Sequence, residues 1–136
     1  MSFNYNHLRA KKSRLMNILR LFLPLLNLLK IVGVISGFSL IFMDSAKSKY
    51  IVFLPEVLKR LEVGGVVILD DIFQGGDVAR DIMEVRRGQR TIYRGLQRLF
   101  DATLDHPGLT ASLIPLGDGI LMIRKNQEEV SLPTEE

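Results

Sequence analysis

Four side chains in this sequence have the types and spacing to do chemistry together: Asp44, Lys47, Asp70 and Asp71. Asp44 closes the apolar run Leu40-Ile41-Phe42-Met43, and Asp70-Asp71 close the run Val66-Val67-Ile68-Leu69. Three carboxylates brought to one place repel, and a hard cation such as magnesium, which takes oxygen ligands, relieves that repulsion. A lysine three residues beyond Asp44 and near positive charge holds its proton less tightly, so it can act as a base toward a hydroxyl at the cation. That combination would make an oxygen nucleophile. The same spacing has a plainer reading, in which Asp70 and Asp71 cap a following turn and Lys47 is a surface residue. Spacing alone does not separate the two.

The elements that must position these groups can be read from the apolar pattern. Each apolar run is four to five residues without alternation, which predicts a strand buried on both faces in a parallel sheet. Ligands of open parallel sheets sit beyond the carboxyl ends of the strands, where both runs place their carboxylates. The stretch between the runs suffices for a helical crossover. Tyr50, Phe53, Leu54, Val57, Leu58 and Leu61 recur at three- and four-residue intervals and define the face toward the sheet. Pro55 cannot donate a helix hydrogen bond, so the regular helix is expected to start near it, and Val63-Gly64-Gly65 is expected to stop it and turn into the second strand.

From Ile72 to Gln89 no period survives, and a segment of this length reads either as a lid over the strand ends or as a solvated loop with one short helix. Its Arg86 and Arg87 could meet phosphate or face water. Arg90 to Asp105 reads as a helix with the stripe Ile92, Leu96, Leu99, Phe100 and Leu104, weakened at Gly95 by roughly 1 kcal/mol relative to alanine. His106-Pro107-Gly108 ends it. Leu113-Ile114-Pro115, the turn Leu116-Gly117-Asp118-Gly119 and Ile120 to Ile123 predict an antiparallel hairpin at one sheet edge, followed by a polar tail that frays.

At 136 residues the chain makes one domain at most. It has no cysteine, which excludes disulfides and thiolate metal sites and fits a cytoplasmic protein. His7 and His106 are too far apart in sequence for a metal-ligand spacing, so a bound metal would be held by oxygen. The net charge of +3 conceals an asymmetry, because residues 1–38 carry six basic residues and no acid. The high isoelectric point therefore comes from the first quarter and does not make the whole protein a nucleic-acid binder. Asn17, Arg20, Pro24, Asn27 and Lys30 interrupt the apolar composition of that quarter too often for a transmembrane span. It reads as a helical pair broken at Pro24, or as a basic membrane-surface or partner-binding helix.

Several motifs in order then resemble a known family: Ile41-Phe42-Met43-Asp44-Ser45-Ala46-Lys47, the Gly64-Gly65 turn, Val66 to Asp71, Arg90-Thr91-Ile92 and Leu116-Gly117-Asp118-Gly119. They are similar to the C-terminal half of the cation-dependent, S-adenosylmethionine-dependent O-methyltransferases, which include catechol and caffeoyl-coenzyme A methyltransferases and bacterial relatives that methylate hydroxyuridine in tRNA. The resemblance implies that Asp44, Asp70 and Asp71 are ligands of Mg2+ or another divalent cation, that Lys47 is the catalytic base, and that Asp44 also lies near the S-adenosyl-L-methionine cofactor. It implies a small hydroxylated aromatic or a tRNA hydroxyuridine as acceptor. The family commonly has Asn at the position of Asp71 and Pro at that of Val63.

The resemblance covers about residues 38–125, leaving 1–37 as a basic, apolar leader that does not match and 126–136 as a polar tail. Nothing before Phe38 supplies the glycine-rich loop and the acidic residue with which the family binds the methyl donor, so the chain is expected to be a truncated form with impaired activity. The expected fold is α/β: a partial Rossmann-like class I methyltransferase sheet with a C-terminal antiparallel hairpin. Half a sheet leaves a strand edge open, which favours a homo-oligomer. The alternatives are a non-catalytic, self-associating interaction module and an RNA-binding protein that uses the leader with Arg86, Arg87, Arg90 and Arg94.

Overall fold

The computed structural model describes residues 37–133, all within the compact unit Ser36–Glu136. The expectations for the leader fall, apart from its last residue, outside the described residues. The first apolar run forms strand β1 (Phe38–Met43), and the second lies in β2 (Leu61–Asp70), parallel to it. Leu40 pairs with Val66 and Met43 with Leu69, so Asp44 leaves its strand alongside Asp70. Helix α1 (Tyr50–Arg60) makes the crossover, α2 (Arg90–Thr103) follows, and β3 (Leu109–Ile114) and β4 (Ile120–Lys125) form the antiparallel hairpin. The sheet order is β1-β2-β4-β3, with β4 antiparallel to both of its neighbours. Among the described residues no helix is long and apolar enough to cross a membrane.

The core lies on one face of this sheet. Val67 and Leu69 of β2 stand opposite Ile123 and Leu121 of β4, and all four are fully buried. Leu54 and Leu58 of α1 and Leu96 and Leu99 of α2 close over them in one cluster. Val66 and Ile68 are only partly buried and Met122 is exposed, so the expectation of strands buried on both faces is corrected to one packed face. An unbroken apolar run does not say which of its alternate residues meets a helix.

Three boundaries differ from expectation. Helix α1 begins at Tyr50 and takes Pro55 inside it, where the missing N–H forgoes one bond to the Ile51 carbonyl. Tyr50, Ile51, Leu54 and Leu58 are buried on that helix, and their burial offsets a cost of about 3 kcal/mol for an interior proline. Strand β2 starts directly at Leu61, so Val63-Gly64-Gly65 lies within the strand, and Gly64, at φ 86°, carries the irregularity between the Phe38–Leu61 and Leu40–Val66 pairs. The tail packs as far as it is described: Leu132 enters the core, and His106 receives the Gly108 N–H on Nδ1, which leaves Nε2 to donate to the Ser131 carbonyl at 3.0 Å.

Gly95 turns out to have a packing role. A Cβ there would lie 2.8 Å from the Ser48 Cα and 2.9 Å from its carbonyl oxygen, so the missing side chain lets α2 rest on the backbone of the turn Lys47–Lys49. Gly95→Ala would gain roughly 1 kcal/mol of helix propensity on an exposed helix. Here it is expected to lower stability by about 1–3 kcal/mol, as overpacking does, in a thermal or urea melt. A stabilised variant would contradict this close approach.

Candidate active site

Tyr50 opens helix α1 with its ring on the apolar face, and its hydroxyl, buried with the rest of the side chain, must find polar partners. It finds them at the ends of both parallel strands: the hydroxyl lies 3.3 Å from the Met43 carbonyl and 3.1 Å from the Asp70 carbonyl. Burial raises its pKa well above the ordinary 10.0; a hydrogen bond from the Ser45 backbone partly opposes this, and the negative charges of Asp44, Asp70 and Asp71 add to it. All three carboxylates therefore act on one buried oxygen. Sequence pattern assigned Tyr50 to the apolar stripe and missed this role. A phenol at the first turn of a crossover helix was the available signal.

The local conformation at the second strand end is also defined. Asp71 adopts φ 57°, the left-handed region in which Asn and Asp are the best tolerated non-glycine residues, and its N–H donates to the Asp70 carboxylate at 2.9 Å. The turn-capping reading of Asp70 thus describes one of its contacts. Among the described residues no group of three or more His, Cys, Asp or Glu side chains is gathered so that it could hold a metal ion. The aspartates therefore converge electrostatically on Tyr50 without forming a closed ligand shell. Two observations bear on whether a cation fits. The donors are all carboxylate oxygens, the type hard cations take, and the Ser45 hydroxyl beside Asp44 is buried without a hydrogen-bond partner. An orphaned polar atom at that place is one that a bound group could satisfy.

Lys47 stands at the head of the turn before α1 and points its Nζ to the Gln74 side-chain oxygen at 3.0 Å, while the Gln74 amide donates to the Gln89 side-chain oxygen at 2.9 Å. These three side chains line a cleft of about 450 Å³ together with Gly75, Asp77, Arg80, Glu84, Arg86 and Asp118. None of the three aspartates at the strand ends lines it. The cleft is polar, with no aromatic ring in its wall.

The wall is held by α2. Arg90 donates to the Val85 and Met83 carbonyls, Tyr93 to the Arg80 carbonyl and Gln97 to the Val78 carbonyl, so one helix face runs antiparallel to the segment from Val78 to Val85. Val85 is buried beneath it. The loop-or-lid segment is thus a set of short 3-10 turns clamped to a helix, and Arg90 serves this clamp. On the other side, the hairpin turn fastens the start of the segment. Asp118 accepts the Phe73 N–H on its carbonyl and the Gly75 N–H on its carboxylate, both at 2.8 Å. The role of the Leu116-Gly117-Asp118-Gly119 motif is this contact, which its turn-forming composition alone did not disclose.

The O-methyltransferase family model matches residues 10–126 of this chain. The chain belongs to the O-methyltransferase family. The match begins inside the leader that the ordered motifs left out. The chain is 28% identical over 106 residues to a caffeoyl-CoA O-methyltransferase of Eucalyptus gunnii, covering 77% of this chain and 43% of that protein. It is 27% identical over 84 residues to tapetum-specific methyltransferase 1 of Arabidopsis thaliana, covering 62% of this chain and 36% of that protein. Its fold matches that of an O-methyltransferase from Bacillus cereus, a structure in complex with SAH, with a TM-score of 0.59 at 22% identity, over 74% of this chain and 47% of that one. The fold is thus that of class I Rossmann-like methyltransferases in part. The chain spans less than half the length of the relatives it matches.

The Tyr50 geometry generates a test with a definite sign. Its folded-state pKa is raised, so the unfolded chain releases the phenol proton first, from about pH 10, and the stability held by the neutral hydroxyl is lost as pH rises through that range. Tyr50→Phe is expected to cost about 1 kcal/mol at neutral pH for the lost hydrogen bond. It should also remove this component of the alkaline decline, so that wild type and variant converge in urea melts as pH rises above 10. Parallel curves would contradict the assignment.

Proposed function

We propose that this chain provides the acceptor side of an S-adenosylmethionine-dependent O-methyltransferase, with Lys47 as base and Asp44, Asp70 and Asp71 as ligands of Mg2+ or another divalent cation. The observation that supports the reading is that Asp44 and Lys47 follow the carboxyl end of β1 while Asp70 and Asp71 stand at that of the parallel strand β2, in a chain of the O-methyltransferase family. Family membership supports the methyl donor, and one neighbour of the same fold, TomG of Streptomyces achromogenes, is a structure in complex with SAM. S-adenosylmethionine, when bound, supplies a methyl group on a sulfonium. Lys47 Nζ would take the proton of the acceptor hydroxyl, leaving its oxygen free to receive that methyl group. A cation held by the aspartates would favour loss of that proton. Asp44, the residue after β1, would also lie near the donor.

The acceptor on this reading is a small hydroxylated aromatic or a tRNA hydroxyuridine. The cleft wall sets Lys47, Arg80 and Arg86 against Asp77, Glu84 and Asp118, and its polar lining suits a hydrogen-bonding acceptor of either class. Homo-oligomer formation belongs to the same reading. No strand pairs with the outer edge of β1 among the described residues, and Leu40 on that strand is 60% exposed.

Calorimetric titration of the full chain with S-adenosylmethionine, with and without magnesium, tests the donor. Binding toward the weak end of the range in which enzymes hold their substrates, a Kd of about 1 mM, is expected, because the reading gives this chain the acceptor side. Lys47→Met should leave that binding in place and abolish transfer to both a catechol and a hydroxyuridine-containing tRNA. A folded chain that gives no heat with the donor, or a Lys47→Met variant with full turnover, would refute the reading.

A further inference from the structure

Gln74 occupies a conformation that its side chain does not favour. Its φ is 51°, and the next two residues, Gly75 and Gly76, are also left-handed at 63° and 90°. The glycines meet that requirement freely, whereas a glutamine there carries backbone strain of a kind that persists where the surroundings need the side chain. The Gln74 side chain is not idle. Its oxygen accepts from Lys47 Nζ at 3.0 Å and its amide donates to Gln89 at 2.9 Å, which ties the turn after β1, the segment after β2 and the residue that precedes α2 into one chain of hydrogen bonds.

We infer that Gln74, oriented by Gln89, is a positioning residue that aims the Lys47 amine into the cleft. The inference rests on the reading of Lys47 as the base and adds what sets its direction. Lysine has four rotatable side-chain bonds and loses much of its rotamer freedom only when a partner holds it. An amide oxygen does this as a neutral acceptor with a fixed direction. Gln89 fixes which end of the Gln74 amide faces Lys47, because its oxygen requires the nitrogen end. The strained backbone and the ordered amide pair are independent observations that point to the same side chain.

Competitive labelling of the full chain with an amine-reactive acetylating reagent, read lysine by lysine by peptide mass spectrometry, tests this without a methyl donor. Lys59, 75% exposed at its side chain on α1, serves as the internal reference. Gln74→Gly removes the amide and suits the left-handed backbone, so its melting temperature is expected to equal or exceed that of wild type while Lys47 labels roughly 2- to 10-fold faster relative to Lys59, the range one hydrogen bond supports. Gln74→Glu keeps an acceptor and should restore the slow labelling. An unchanged Lys47 rate in Gln74→Gly would overturn the inference. So would a lowered melting temperature with faster labelling of every lysine, which would make Gln74 a residue of the fold alone. Failure of donor binding in the calorimetric experiment would leave these rates untouched, so the two readings fail separately.

Discussion

One buried hydroxyl ties together the carboxyl ends of the two parallel strands. Tyr50 reaches from the first turn of α1 to the carbonyls of Met43 and Asp70, so the crossover helix, β1 and β2 share one fastening point. Asp44, Asp70 and Asp71 leave the strands around that point, and their charges act on its proton. A buried hydroxyl that links its own helix to carbonyls on two strands fixes their relative position in a way that apolar contact does not, because its loss would leave those carbonyls short of a donor. The remainder of the site is built outward from here. The turn Lys47–Lys49 is pressed against α2 at Gly95, and α2 in turn clamps the polar wall of the cleft.

Much of this architecture was legible from the residues because strong signals are local. Two short apolar runs ending in aspartate, a three-to-four spacing between them and a Gly-Asp-Gly turn before a last apolar run correspond to β1, β2, α1 and the β3–β4 hairpin. What was not legible depended on contacts between distant positions. Pro55 argued for a late helix start, and tertiary burial of Tyr50, Ile51 and Leu54 outweighed it. Leu132 stands alone in a polar stretch and is buried by a core that the tail sequence does not contain. Gln74 and Gln89 are separated by fifteen residues of no regular period, and only the fold brings their amides together with Lys47.

The family relationship sharpens what the local geometry supports. An O-methyltransferase needs an acceptor hydroxyl, a base and a methyl donor in one place, and the described residues hold a lysine in a polar cleft and three carboxylates at the strand ends. Lys47 lines the cleft and bonds Gln74, whereas the aspartates lie at the strand ends, outside the cleft lining, where their charges act on Tyr50. The orphaned Ser45 hydroxyl lies in sequence between these two groups and marks the joint between them. The proposed chemistry requires both halves to act on one oxygen.

The most direct test is to locate a paramagnetic cation. Mn2+ takes the same oxygen donors as magnesium, and its titration into the isotopically labelled chain broadens the NMR signals of the residues nearest to it. The account predicts that Asp44, Ser45, Tyr50, Asp70 and Asp71 broaden first, at substoichiometric metal, with Lys47 close behind. Broadening that begins at acids remote from the strand ends, such as Glu128 and Glu129, with the Tyr50 signals unaffected, would contradict it.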